Sequence, residues 1–183
     1  MIVHSATRRS SVADPSLEEV SENLIVLGAF EALAGELACK HASGAEITQI
    51  LELCDRMRNV SLETDPLDFF SWDMEFHQSI VWAARNAPLM ESHRVYNARL
   101  WRARFISSKQ RTLQDTMLGH HDLIAEALQK RNGSEAGRQL RRHLKTAVVN
   151  ITAALSIKIK PFLKLRPMAS PNIIFQRDKN RLF

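Results

Sequence analysis

The run Trp72-Asp73-Met74-Glu75-Phe76-His77-Gln78-Ser79-Ile80 constrains this chain more than any other stretch. Phe70, Asp73, His77, Ile80 and Ala84 recur at separations of three and four. That spacing stacks side chains on one face of an α-helix. The face is apolar except for one carboxylate and one imidazole. An unpartnered carboxylate in a protein interior is costly, so a core stripe carrying Asp73 and His77 demands polar partners from other elements.

The same period, and not the alternation of a strand, governs the rest of the chain. Ser16, with Glu18 and Glu19 behind it, reads as the N-cap of a first helix running to about Ala42. Val20, Leu24, Leu27, Phe30, Ala34, Leu37 and His41 share one of its faces. Ser43-Gly44-Ala45-Glu46 has the form of a capping box and opens a second helix through Ile47, Ile50, Leu51, Cys54 and Met57. Asp65-Pro66 starts the third, with proline at the first helical position. Asn86-Ala87-Pro88 stops that helix and begins a fourth through Leu89, Tyr96, Leu100 and Trp101. A break near Ser107 and Ser108 precedes a fifth, which Arg131-Asn132-Gly133 ends. Ser134, followed by Glu135, caps a sixth that runs to about Lys158, and Pro161, Pro167 and Pro171 argue against its continuation. The chain therefore reads as all-α, an antiparallel bundle of six to seven helices with short connections. Residues 1–16 form a disordered or extended arm. Residues 17–158 form the helical domain, and residues 159–183 a non-helical, basic, proline-containing tail.

A chain of 183 residues, 45% hydrophobic, is long enough to bury a single core. Its net charge of +5 hints at nucleic acid, but the distribution argues otherwise. Seven Lys and Arg against one Asp give residues 158–183 a charge of +6, leaving −1 for the preceding 157. Basicity is thus a property of the tail, and the folded domain is not expected to bind DNA. Cys39 and Cys54 have no C-x-x-C partner and read as reduced thiols of a cytoplasmic protein. No apolar run approaches the roughly 20 residues of a membrane span, and the N-terminus lacks the pattern of a secretory signal.

Candidate partners for the Asp-His pair lie on two later helices. Leu113, Met117, His121, Ile124 and Leu128 share the inner stripe of the fifth, which leaves His120 outside it and in solvent. The sixth turns Ala136, Leu140, His143, Ala147 and Ile151 inward. Asp73, His77, His121 and His143 therefore occupy inward positions on three helices. They read either as core histidines bonded to backbone carbonyls or as ligands of one divalent metal. Zinc, nickel, manganese and iron all accept such nitrogen and oxygen donors. Spacing alone is compatible with both.

The runs Asp73-Met74-Glu75-Phe76-His77, Gly119-His120-His121-Asp122-Leu123-Ile124-Ala125-Glu126-Ala127-Leu128 and Arg141-Arg142-His143-Leu144 resemble the ligand-binding (FCD) domain of GntR-family transcription regulators, FadR subfamily. Phe30-Glu31-Ala32-Leu33-Ala34-Gly35-Glu36-Leu37-Ala38 and Ala84-Arg85-Asn86-Ala87-Pro88-Leu89 extend the likeness, which spans about residues 17–155. The resemblance implies that residues 17–158 are an effector-sensing and dimerisation domain. Asp73, His77, His121 and His143 would hold the metal, zinc or nickel ahead of manganese or iron. A small carboxylate or sugar acid would fill its open positions. The resemblance also implies a homodimer that contacts DNA only through a winged helix-turn-helix.

The sequence departs from that pattern twice. Many family members carry an arginine where this chain has Leu27. Arg99, Arg102 and Arg104 of the fourth helix are the substitutes, Arg102 preferred, if they are not simply a solvated basic face. His93, in phase with Leu89, Tyr96 and Leu100, is placed either on the pocket wall or as an ordinary core histidine. About 16 residues precede the first helix, and Val12-Ala13-Asp14-Pro15-Ser16-Leu17-Glu18-Glu19 resembles the linker that follows the wing. The DNA-reading module is accordingly expected to be absent from this chain. The competing function is a metal-dependent, hydrolase-like enzyme, since three histidines and a carboxylate can activate water. His-Glu-x-x-His and Glu-x-x-His are both missing, and Glu75 lies off the inner stripe, so no enzymatic activity is expected.

Overall fold

The computed structural model describes residues 2–4, 10–12, 15–61, 63–109 and 111–163. Four of its helices begin where side-chain caps place them. Glu19 N–H donates to Ser16 Oγ at 3.1 Å and Ser16 N–H donates to Glu19 Oε2 at 2.8 Å, opening α1 (Leu17–His41). Ser43 and Glu46 repeat this exchange at α2 (Gly44–Arg58), at 3.2 and 2.8 Å. Asp65 accepts from Leu67 N–H at 2.8 Å to start α3 (Pro66–Ala83). Asn86 accepts from Leu89 N–H at 3.0 Å to start α4 (Ala87–Ser108). Each cap satisfies an N–H that no helical carbonyl reaches. α5 (Arg111–Gln129) and α6 (Gly133–Leu163) complete the bundle.

Two expectations change at the chain's junctions, while the expected end of α5 holds. Glu135 N–H bonds Asn132 Oδ1 at 3.1 Å, so Asn132, and not Ser134, caps α6. Arg131 takes the left-handed backbone (φ 57°) that ends α5, and its guanidinium donates to Ala42 O at 2.6 Å, holding the end of α1 against this turn. α6 continues to Leu163, past the expected end at Lys158 and with Pro161 in its last turn. The rest of the expected tail lies outside the described residues. In the N-terminal arm, β1 (Ile2–His4) pairs antiparallel with β2 (Ser10–Val12), Ile2 opposite Val12.

The bundle is arranged around α1, which packs on α3, α4, α5 and α6. Its most extensive partner is α6, running antiparallel, and small residues let the two backbones close. A Cβ on Gly35 would run into Leu140, and one on Gly137 would stand 2.6 Å from Glu36 Oε1. Two apolar clusters result. One joins Ala34, Ile50, Met57, Phe76, Ile124 and Leu140. The other joins Val20, Leu24, Leu27, Leu100, Leu144 and Ile151. On α1 the seam between them falls at Glu31, and on α6 at His143. Among the described residues no helix is long and apolar enough to cross a membrane.

Candidate metal centre

At that seam the structure brings Asp73 and His77 of α3 together with His121 of α5 and His143 of α6. One donor atom from each lies within 4.8 Å of the others. Asp73 Oδ1 is 3.3 Å from His121 Nε2 and 3.6 Å from His77 Nε2. The His143 ring centroid is 4.6 Å from that of His121 and 4.9 Å from that of His77. All three imidazoles are 1% exposed, while Asp73 retains 16%. Among the described residues, neither ring nitrogen of His77 or of His121 has a hydrogen-bond partner. Bonding to carbonyls therefore does not account for these two histidines. Leaving a buried polar atom unsatisfied costs about 1–3 kcal/mol, and a divalent cation accepts such lone pairs. Imidazole nitrogens and one carboxylate oxygen are a fitting donor set for the metals named above.

Electrostatics separates the histidines. Burial pushes His121 down to about 4, outweighing the pull of Asp73. Burial also drives His143 well below the usual imidazole range, helped by repulsion from His121 and His77. Both rings are therefore neutral near pH 7, with a lone pair to offer. Burial opposes charge on His77 as well, but Glu31 and Asp73 on either side of its ring outweigh it and hold His77 up to about 9. Burial raises Asp73, yet His77, His121 and Arg104 together carry it below the ordinary carboxylate range. Glu31 behaves alike, with His77, His93 and Arg104 overcoming its desolvation. A cation held through His77 would have to displace a proton from its ring.

Asp73, His121 and His143 open onto a cavity with a mouth to solvent. Phe69, Met117, Ile151, Asn150 and Arg104 are among its other walls. Arg104 is 6% exposed and donates from Nη1 to Asn97 Oδ1 at 2.9 Å. Its Nη2 stands 3.8 Å from Asp73 Oδ2, and its Nη1 3.8 Å from Glu31 Oε1. A buried guanidinium thus lies between two carboxylates at the edge of the cavity.

The other sequence candidates fall elsewhere. Arg99 and Arg102 are exposed, and Arg99 lies over the Tyr96 ring at 5.6 Å. Of the three arginines, Arg104 and not the preferred Arg102 lies on the cavity wall, because two residues along a helix turn the side chain about 200° around the axis. His93 is fully buried but bonds Glu31 and is not on the cavity wall. Leu27 packs in the apolar cluster with Leu24, Leu100 and Leu144. His120 is not in solvent: it is 6% exposed, with its ring 5.9 Å from that of His143. α6 covers that side of α5, and burial together with Arg142 lowers the His120 pKa. His41, expected on the inner face of α1, is exposed in its last turn. Sequence reasoning also missed Glu31, although its position, in register with Leu24, Leu27 and Ala38, is a charge in a core stripe. Arg104 was legible in the same way, in phase with His93, Asn97 and Leu100.

Three histidines and one carboxylate are thus clustered in the interior of an all-α bundle, beside a lined cavity. Residues 24–146 match the FCD domain model, and the chain belongs to that family, the C-terminal effector-binding domain of GntR/FadR transcription regulators. A comparison with curated proteins finds no match to this chain.

Proposed function

We propose that this domain senses a small carboxylate or sugar acid at a divalent metal held by Asp73, His77, His121 and His143. Zinc or nickel comes ahead of manganese or iron. The observation that carries this reading is the convergence of unsatisfied imidazole nitrogens on Asp73 at the wall of a cavity that also holds Arg104. A bound divalent cation supplies Lewis-acidic positions for an anionic ligand. The chain supplies the rest. The planar fork of Arg104 matches a carboxylate, and its bond to Asn97 holds it in place. Asn150 offers a further polar contact, while Phe69, Met117 and Ile151 restrict the space to a small molecule. A ligand gripped by side chains of α3, α4, α5 and α6 together favours the arrangement in which these helices are closed.

Calorimetric titration of metal-free protein with zinc and nickel tests this reading. Uptake of one equivalent per chain is expected, with a rise in melting temperature that a panel of mono-, di- and tricarboxylates increases further. Absence of both uptake and stabilisation would sink it. FCD domains belong to transcription regulators, so the carboxylates are expected to be returned unchanged by the metal-loaded protein. We also propose a homodimer. Ile25 (64% exposed), Ala29 and Leu33 (43%) form an apolar stripe on the outer face of α1 that suits an interface. Light scattering showing a monomer at micromolar concentration contradicts this.

A further inference from the structure

Glu31, 1% exposed on α1, touches two histidines with its two oxygens. Oε1 accepts from His93 Nε2–H at 3.2 Å and has Arg104 Nη1 at 3.8 Å. Oε2 approaches His77 Nδ1 to 2.7 Å, without the alignment of a hydrogen bond. On the opposite side of the same ring, His77 Nε2 faces Asp73 Oδ1 at 3.6 Å. A neutral imidazole carries its proton on one nitrogen and its lone pair on the other, and the partner of the non-ligating nitrogen decides which. An ionised carboxylate can only accept. A carboxylate buried this deeply stabilises little by itself, so its place beside a donor histidine calls for a role.

We propose that Glu31 is a positioning residue of the metal centre. With the site loaded it would accept the Nδ1–H of His77, fix the tautomer whose lone pair is on Nε2, and hold that nitrogen toward Asp73, His121 and His143. The inference rests on the metal-binding reading of those four residues. His93 and Arg104 hold Glu31 in turn, so one carboxylate links α1, α3 and α4 at the site.

Two measurements test it. In zinc-loaded native protein labelled with nitrogen-15 histidine, long-range proton–nitrogen correlation is expected to show His77 protonated at Nδ1 and coordinated through Nε2. Coordination through Nδ1 overturns the proposal without any variant. Zinc affinity by chelator competition is then compared between the native chain and Glu31→Gln. The amide can present a donor where an acceptor is needed, and the variant is expected to bind zinc on the order of 10–100-fold more weakly. Its His77 tautomer signature is expected to be lost, while metal-free melting remains cooperative. A merely structural Glu31 would lower the metal-free melting temperature and leave the tautomer and zinc affinity intact. Native protein that takes up no zinc sinks the metal reading and this inference with it. Native binding with equal binding by Glu31→Gln sinks this inference alone. Should Glu31→Gln fail to fold, the native tautomer measurement decides.

Discussion

Around Ile50, Met57, Phe76, Ile80, Ile124 and Leu128 the bundle's interior is apolar. At the seam next to it, Glu31, Asp73, His77, His93, Arg104, His121 and His143 form a polar layer. Burying a large apolar side chain stabilises the fold by about 1.5–3 kcal/mol with no partner needed. Each unsatisfied polar atom in the other layer costs about 1–3 kcal/mol until something binds it. The apolar cluster therefore supports the fold, and the polar layer is poised to respond to a ligand. On the proposed reading, stability and sensing reside in adjacent parts of one helical core.

Breaking the polar layer should have the largest effect. His77→Ala combined with His143→Ala is expected to abolish zinc uptake. With it goes the zinc-dependent stabilisation, which is about 4 kcal/mol when free metal exceeds Kd 1,000-fold. Calorimetry with and without zinc measures both. In the apolar layer, Leu128→Ala is expected to lose about 2–5 kcal/mol in denaturant unfolding. The loss should be equal in metal-free and metal-loaded protein, with zinc affinity unchanged. A matching fall in zinc affinity would show that the layers are not separable.

Within the polar layer, Arg104→Gln tests the cavity arginine. Removing a charge-assisted hydrogen bond is worth about 1.5–3 kcal/mol, so carboxylate binding to metal-loaded protein should weaken roughly 10–100-fold. The exposed Arg102→Gln should change it less than about twofold, since Arg102 is not on the cavity wall and an exposed surface charge contributes little. Equal effects would reverse the assignment.

A further expected effect is the pH dependence of metal-free stability. His77, held up to about 9, binds its proton more tightly in the folded state. Its contribution is full below the unfolded value of about 6.5 and lost as pH rises through 9. His121, pushed down to about 4, and His143 resist protonation in the folded state. Their effect runs the other way, and stability is lost as pH falls from about 6.5. Metal-free protein should be most stable near pH 6.5, and zinc should remove the alkaline decline. A profile flat from pH 5 to 9 in denaturant melts would show that the site's charges do not couple to folding.

Much of the fold was legible because helix starts are local. Ser16 with Glu19, Ser43 with Glu46, Asp65 with Leu67 and Asn86 with Leu89 are exchanges between residues two or three apart, complete before any helix meets another. The inward phases of Asp73, His77, His121 and His143 are equally local, being set by the 3.6-residue turn. Where the reading failed, a second element decided. His120 is covered because α6 packs over its side of α5. Phase already pointed to Arg104 over Arg102, and to Glu31, but a charge in a core stripe does not reveal its partner.

By itself, the sequence determined most of the inward-facing residues and where most helices begin. Only the tertiary structure decided that four of those residues, from three helices, come within 4.8 Å of one another and that Glu31 reaches the back of His77. Distances between helices depend on the volumes interleaved across whole interfaces. Here they depend on the close approach of α1 to α6 at Gly35 and Gly137, which no local pattern along the chain encodes.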